Sequence, residues 1–276
     1  MRRPVRVRMP YVERLVSTLS VRDWAIIDTV YTLHVVSGSQ LERLHFTNLS
    51  LQSRSVMRWR VLKRLVDARV LVTLERRVGT AQRGSAKFCY ALDTAGLRLM
   101  RLRVNAASPD AVARRPRLPG ERFIAHVLAV SELYVSLIEH SRIGLFTVEQ
   151  FHAEPTAWVR DGLGGWLKPD GFVRLRAGTV DDFWWLEADL ATESLPTVRS
   201  KLLAYLDFVA RGQFGPDGVV PRVLIAVSYK DEKRQKARQM ALQRVVNTLP
   251  TPAEYMFRVV ELGSAAGVME QTLMEW

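Results

Sequence analysis

The sequence predicts a two-domain protein in which a basic α+β domain is followed by an α/β domain. Lys and Arg outnumber Asp and Glu by 20 to 7 in residues 1–103, whereas the two classes number 20 and 21 in residues 104–276. In the first part, apolar residues recur at helical spacing and then alternate with a period of two. In the second part, short apolar runs bounded by Gly, Asp and Pro alternate with helical patterns. A chain of 276 residues is long enough for two such cores.

The composition is typical of a soluble globular protein. Hydrophobic residues make up 48% and charged residues 25% of the chain, as in ordinary globular domains. No apolar run approaches the roughly 20 residues that span a bilayer, and Met1–Arg8 lacks the apolar core of a secretory signal. Cys89 is the single cysteine, which excludes an internal disulfide, and no Cys/His cluster has the spacing of a zinc site. We therefore expect a cytoplasmic protein that does not contact a membrane.

The N-terminal part is predicted as an arm followed by three helices. Residues 1–17 carry five arginines and two prolines, so we expect a mobile basic arm, which could contact phosphates or remain solvated. Ser20 is a favourable N-cap for a first helix, and Ser37 caps a short second helix. A third helix is predicted over about residues 50–68, with Leu51, Val56, Trp59, Leu62, Leu65 and Val66 on its inner face.

A basic β-hairpin follows these helices. The period changes to two after Ala68, and strands around residues 70–74 and 88–92 flank a polar segment. Three helices followed by a basic hairpin is the order of a winged helix-turn-helix, whose third helix enters the DNA major groove. We therefore predict a domain over residues 18–103 that binds double-stranded DNA, closed by a helix that Asp93 and Thr94 cap. Residues 104–120 are predicted to be a linker.

Arginines supply the candidate DNA contacts of this domain. Arg54 and Arg58 lie one turn apart on the third helix and are candidates for base edges, whereas the hairpin cations would position the protein on phosphates. The candidate DNA-binding residues are Arg54, Arg58, Arg60, Arg64, Arg76, Arg77, Arg83 and Lys87. Trp24 and Trp59 are expected in the core. The alternatives are a winged helix used only for protein contacts, or a basic surface that serves solubility or an acidic partner.

The C-terminal domain is predicted over residues 121–276. A long helix from Glu121 to about Arg142 is followed by a strand near residues 145–149 and a Gly-rich turn at 161–165. Two strands come next, then a helix that Ser194 and Pro196 begin. A strand, a basic helix and a last strand are predicted over residues 222–229, 231–249 and 255–262. This order predicts a mixed sheet flanked by helices.

Carboxylates mark the two strands at the centre of this domain. The strands cover Lys168–Leu175 and Phe183–Ser194, with Asp170 at the start of the first. Side chains alternate along a strand, so Glu187 and Asp189 share a face. If the strands pair, three carboxylates converge, and such a group raises its own pKa values unless a cation lies between them. Mg²⁺ prefers oxygen ligands of this kind. The alternative is an ordinary polar sheet edge.

The order of these motifs resembles a known superfamily. Pro169-Asp170-Gly171, then Leu186–Ser194, then Lys201 and Tyr205 on one helical face are similar to the PD-(D/E)xK, or restriction-endonuclease-like, superfamily. More closely, they resemble the replication-relaxation family of bacterial plasmids and integrative elements, over most of the chain from about Thr18. The superfamily places a lysine where this chain has Asp189, and Lys201 is the candidate substitute.

The resemblance implies a DNA-binding protein of a mobile element with a metal-dependent nuclease-like domain that nicks or cleaves DNA during plasmid replication or transfer. Asp170, Glu187 and Asp189 would then ligate Mg²⁺ or Mn²⁺, and together with Lys201 they are the candidate catalytic residues. One alternative is a catalytically inactive regulator or replication-control protein, whose nuclease-like domain serves a homodimer or another partner. Another is a nicking protein that acts through Tyr205.

Overall fold

A computed structural model of the chain describes residues 7–75, 88–104, 121–229 and 231–275. It contains both helices and strands, with a mixed central sheet flanked by helices, so the predicted α+β and α/β architecture is confirmed. The chain divides into two units, Met1–Ser131 and Glu132–Trp276.

Serine caps fix the helix starts of the first unit. The Ser20 hydroxyl accepts from the Asp23 amide while the Asp23 carboxylate accepts from the Ser20 amide, and Ser37 and Gln40 repeat this capping box. Both starts were predicted from these serines. The helices are α1 Met9–Thr18, α2 Val21–Leu33, α3 Gly38–His45, α4 Leu51–Asp67 and α5 Thr94–Val104.

A small sheet completes the first unit. Strands β1 Val36–Ser37, β2 Leu71–Glu75 and β3 Phe88–Leu92 form an antiparallel sheet in the order β1-β3-β2. The succession of α2, α3, α4 and the β2–β3 pair has the element order of a winged helix-turn-helix. Residues 76–87 lie outside the described residues, and so do the predicted contacts Arg76, Arg77, Arg83 and Lys87.

The predicted arm over residues 1–17 is wrong from Met9 onward. Residues 9–18 form α1, in which Val12 is fully buried and Tyr11 donates a hydrogen bond to the carbonyl oxygen of Ala68. The sequence signal was dominated by arginines, but Tyr11 and Val12 supply enough apolar surface to hold one helical face on the unit. Residues 1–6 lie outside the described part of the chain.

The long helix α6, Glu121–Ser141, crosses the division between the units. Its early residues Ile124, Val127 and Leu128 belong to a buried cluster of the first unit, so the division falls at Ser131 rather than at the expected residue 121. The predicted linker, residues 105–120, lies outside the described residues.

Helix α6 also has the length and composition of a membrane-spanning segment over Phe123–Ser141, contrary to the expectation that no run comes near this limit. Val130, Leu133 and Leu137 along the same helix are buried within the units, as in the core helix of a globular protein.

The second unit is built on a five-stranded mixed sheet in the order β10-β9-β8-β7-β4. Strands β8, β9 and β10 are parallel, whereas β7 is antiparallel to both β8 and β4. The strands are β4 Thr147–Ala153, β7 Gly171–Ala177, β8 Val180–Asp189, β9 Arg222–Val227 and β10 Phe257–Glu261, and a separate hairpin pairs β5 Val159–Arg160 with β6 Trp166–Leu167.

Helices cover this sheet. The turn between β7 and β8 contains Gly178 at φ 57°, a conformation that favours glycine, and it joins the strands as predicted. One face packs against α7 through a core that includes the fully buried Phe172, Trp185 and Tyr205. The helices of this unit are α7 Leu195–Ala210, α8 Glu232–Asn247, α9 Ala253–Met256 and α10 Ala265–Met274, the last two of which the sequence analysis did not predict.

The α2 cap gives a test of the first unit. Asp23 is buried, and although burial raises its pKa, hydrogen bonds from Arg64 and Ser20 lower the pKa below its ordinary value of 3.8. We expect Asp23→Ala to lower the free energy of unfolding by about 1–3 kcal/mol, since it removes a cap and a buried acceptor. The more exposed Asp28→Ala on the same helix should cost at most about 1 kcal/mol.

Urea unfolding at several pH values measures both effects. The ionised carboxylate of Asp23 stabilises the folded state above pH 3.8, and this contribution is lost as the pH falls through the lowered pKa. The difference between the wild type and Asp23→Ala should therefore shrink in acid. Equal costs for the two substitutions at neutral pH would contradict this account.

Candidate functional site

Strand register brings Asp170 and Glu187 together. Gly171 pairs with Leu186, so Asp170 lies opposite Glu187 where β7 begins and β8 approaches its end. Residues opposite each other in a sheet project from the same face. The backbone N–H of Ala188 donates to Asp170 Oδ2 at 2.8 Å, which fixes that carboxylate against β8.

Helix α7 supplies a lysine and a tyrosine to the same place. Lys201 Nζ contacts Glu187 Oε2 directly and lies 3.7 Å from Asp170 Oδ1. One turn later, the Tyr205 hydroxyl donates a hydrogen bond to Glu187 Oε1. Residues four apart on a helix share a face, so both groups reach the strands. Asp170, Glu187, Lys201 and Tyr205 are called the acid–lysine cluster below.

Burial controls the electrostatics of this cluster. The exposed fractions of Asp170 and Glu187 are 6% and 5%, and Tyr205 is fully buried. Burial, reinforced by the Asp170 charge, raises the pKa of Glu187 to about 8, although Lys201 and Tyr205 oppose the rise. Burial alone would lower the pKa of Lys201, but the two carboxylates outweigh it and raise that pKa. The cluster therefore consists of two buried acids that share one ammonium group.

Asp189 does not join this pair. It follows Glu187 by two positions on β8 and so shares its face, as predicted, but Arg238 of α8 holds it through contacts of 3.0 and 2.7 Å. The backbone N–H of Ala191 also donates to it at 2.8 Å. Within the described ranges, no three His, Cys, Asp or Glu side chains form a group that could hold a metal ion. The expected convergence of three carboxylates is therefore wrong, because an arginine neutralises the third.

Arg238 is the residue that the sequence analysis missed. It pairs with Asp189 and also donates to the carbonyl oxygen of Glu193 at 3.0 Å, which ties the segment before α7 to α8. Its helix was predicted as basic and amphipathic, but no local pattern distinguishes Arg238 from the other cations of that helix. Tyr205 was considered as a nucleophile, but it is fully buried and its hydroxyl donates to Glu187 Oε1.

Several predicted DNA contacts of the first unit are engaged within the protein. Arg58, predicted to reach base edges, is 6% exposed and pairs with Glu42 at 2.7 Å, so its prediction as a surface contact is wrong. Arg54 donates to the carbonyl oxygens of Leu49 and Thr47, both at 2.9 Å. Arg64 is half exposed but pairs with Asp23 at 2.5 Å. Arg60 is exposed.

The outer face of α4 differs from the expected one. Leu51, Val56 and Trp59 were assigned to the core, but their exposed fractions are 80%, 51% and 54%. Leu62 and Leu65 are buried as predicted, while Trp24 is half-buried. Apolar residues occupy both the buried and the exposed side of α4, so their spacing alone did not identify the buried side. The outer α4 face consists of Gln52, Ser55, Val56, Trp59, Arg60 and Lys63.

Fold and site together define a class of protein: a cation-rich unit with winged-helix order is linked to a mixed-sheet unit whose neighbouring strands present two acids to one lysine. The family model described as replication-relaxation matches residues 27–223, more than half of the chain, so the chain belongs to the replication-relaxation family. The predicted resemblance to the replication-relaxation family is thereby confirmed. A search of the curated proteins and a search of the solved structures each found no match.

Removing the shared ammonium group tests the cluster. We expect Lys201→Ala to lower the free energy of unfolding by about 1–3 kcal/mol, because two buried carboxylates lose their counter-charge. The loss stays below that of a fully buried pair, since 35% of the Lys201 side chain is exposed. Lys236→Ala removes an exposed partner of Glu232 and should change stability by at most about 0.5 kcal/mol. Urea unfolding followed by tryptophan fluorescence compares them, and equal stabilities would contradict the shared-charge arrangement.

Proposed function

We propose that this replication-relaxation protein binds duplex DNA through its first unit and carries a metal-dependent nuclease site at the acid–lysine cluster, acting in the replication or transfer of a plasmid or other mobile element. The observation that carries the proposal is the convergence of Asp170 and Glu187 on one cation, Lys201. A cytoplasmic location follows from a DNA substrate of this kind.

The donor set of the cluster fits a divalent cation. Mg²⁺ is usually held by one or two carboxylates together with substrate phosphate, and Asp170 and Glu187 are two buried carboxylates directed at the same positive charge. These two residues would hold Mg²⁺ or Mn²⁺. A bound ion would lower the pKa of a coordinated water and neutralise charge on the scissile phosphate. Asp189 is paired with Arg238 and is therefore not a metal ligand in this proposal. Its carboxylate instead accepts from the Ala191 N–H and so orders the loop before α7.

The other groups of the cluster have distinct roles in this proposal. The Ala188 N–H orients Asp170, and the Tyr205 hydroxyl orients Glu187. Both contacts restrict carboxylate rotation, so the acids are pre-organised before a substrate arrives. Lys201 is the most exposed member and keeps its charge because of the raised pKa. Its ammonium group would therefore bind a phosphate oxygen and stabilise developing negative charge.

Isosteric substitutions test the nuclease site. We expect the wild type to nick or cleave supercoiled plasmid in Mg²⁺ or Mn²⁺, and Asp170→Asn and Glu187→Gln to slow this at least about a hundredfold, because a lost metal ligand costs several kcal/mol of transition-state stabilisation. Asp207→Asn changes an exposed carboxylate of α7 and should retain the wild-type rate. Gel electrophoresis of a time course measures each rate.

A catalytically inactive regulator is the second candidate function. It is favoured by Asp189, which stands in the usual lysine position and is bound by Arg238. In this case the second unit would form a homodimer interface or bind another partner. Tight DNA binding without cleavage in either metal would support the regulator and contradict the nuclease.

The outer α4 face supports duplex binding by the first unit. In a winged helix-turn-helix the helix at this place in the order enters the major groove. Arg60 and Lys63 are exposed there, one turn apart, and Lys63 pairs with Asp67 at 2.7 Å in an exposed contact of little strength. Beside them, Val56 and Trp59 offer apolar surface of the kind that contacts thymine methyl groups. The proposed contacts are therefore Arg60 and Lys63, with Arg58 stabilising α4 from behind through Glu42.

Charge removal on α4 tests this assignment. We expect the double variant Arg60→Ala, Lys63→Ala to bind duplex DNA more weakly and to lower the slope of log affinity against log salt concentration by about 2, since each phosphate contact contributes about 0.9. Arg244→Ala removes an exposed cation of α8 and should leave both quantities unchanged. Fluorescence anisotropy at several salt concentrations measures them. An unchanged slope in the double variant would place the DNA-binding surface elsewhere.

A further inference from the structure

A hairpin leaves the central sheet next to the acid–lysine cluster. Ala153 at the end of β4 pairs with Gly171 at the start of β7, and the chain between them forms the β5–β6 hairpin. The Glu154 N–H donates to the carbonyl oxygen of Asp170 at 3.0 Å, so the base of the hairpin is joined to the backbone of a cluster residue.

The two faces of this hairpin differ in chemistry. Val159 pairs with Leu167, and both pack against the core of the second unit. Alternation along each strand directs their neighbours to the opposite side. That outward face carries Arg160 and Trp166, and the half-buried Trp158 and the exposed Lys168 flank it just outside the two strands. These four residues are called the stacking face: Trp158, Arg160, Trp166 and Lys168.

Each cation of the stacking face lies over an indole on the other side of the hairpin. The guanidinium carbon of Arg160 is 3.9 Å from the ring centroid of Trp166, and Lys168 Nζ is 4.9 Å from that of Trp158. Trp166 remains 43% exposed, and Arg160 and Lys168 are exposed as well. Neither cation forms an ion pair with a carboxylate of the described chain. The exposed Trp166 ring and the Arg160 guanidinium that overlies it thus form a flat, positively charged surface.

Hydrogen bonds brace the turn of the hairpin. The Asp161 carboxylate accepts from the N–H groups of Leu163 and Gly165, both at 2.8 Å. Arg211 of α7 donates to the Asp161 carbonyl oxygen at 3.2 Å, which anchors the turn to the body of the unit. A surface ordered before binding loses less conformational entropy when it takes a ligand.

We infer that the stacking face binds single-stranded DNA. Aromatic rings stack on the faces of unpaired bases and cations bind the backbone phosphates, which is the combination found in single-strand binding sites. A duplex hides the base faces that the indoles would contact. Lys168 is two residues from Asp170, at most about 7 Å along the chain, so a strand held here leads to the acid–lysine cluster. The inference deepens the proposed function, from which it takes DNA as the nucleic acid.

The test compares side chains of matched size at Trp166 in the full-length protein. With fluorescein-labelled oligothymidylate and anisotropy as the readout, Trp166→Leu should weaken binding about five- to a hundredfold, the usual effect of losing one stacked base. Trp166→Phe keeps an aromatic ring and should stay within about threefold of the wild type. Leu163→Ser alters an exposed apolar residue at the hairpin tip and should bind like the wild type.

Duplex binding by the same variants separates this inference from the proposed function. Trp166→Leu should keep its duplex affinity, and the double variant Arg60→Ala, Lys63→Ala should keep most of its single-strand affinity.

Wild-type affinity of Trp166→Leu for oligothymidylate, or equal losses of affinity in Trp166→Leu and Trp166→Phe, would overturn the stacking face. Stronger binding of oligouridylate than of oligothymidylate would overturn the assignment to DNA. A loss confined to Trp166→Leu, with no cleavage in any metal, would support the stacking face while contradicting the nuclease.

Discussion

The second unit depends on one ammonium group that two buried carboxylates share. Asp170 and Glu187 are almost without solvent, and two bare carboxylates at that depth would repel each other strongly. Lys201 opposes this repulsion through its contacts with both carboxylates, while burial and the Asp170 charge still raise the pKa of Glu187. Two acids that face one ammonium group in a fixed geometry are suited to a second cation, which would favour the ionised form of Glu187. The same arrangement therefore links the packing of α7 on β7 and β8 to the proposed metal site.

Much of this architecture could be predicted because its signals are local. Ser20 and Ser37 mark helix starts whose capping boxes involve residues only three positions away. Alternation on β8 and the turn at Gly178 place Asp170 and Glu187 on one face without any knowledge of the tertiary fold. The four-residue spacing of Lys201 and Tyr205 then directs both side chains to these acids.

The remaining features depend on long-range partners that a local pattern cannot identify. Arg238 reaches Asp189 from a helix far along the chain, and nothing in its own segment marks it. The helical pattern placed Arg58 on the surface, but its side chain is buried and pairs with Glu42. Trp59 shows the converse case, since an apolar residue was assigned to the core although it lies on the surface. Each error arises where tertiary contacts outweigh the amphipathic pattern.

The most direct measurement of the central claim is an anomalous difference map from a crystal of the protein soaked in Mn²⁺. The account predicts a peak between the carboxylates of Asp170 and Glu187, with the Lys201 ammonium moved away from it. No peak at this position, with Lys201 still in contact with Glu187 at millimolar Mn²⁺, would contradict the assignment of these acids to a metal site.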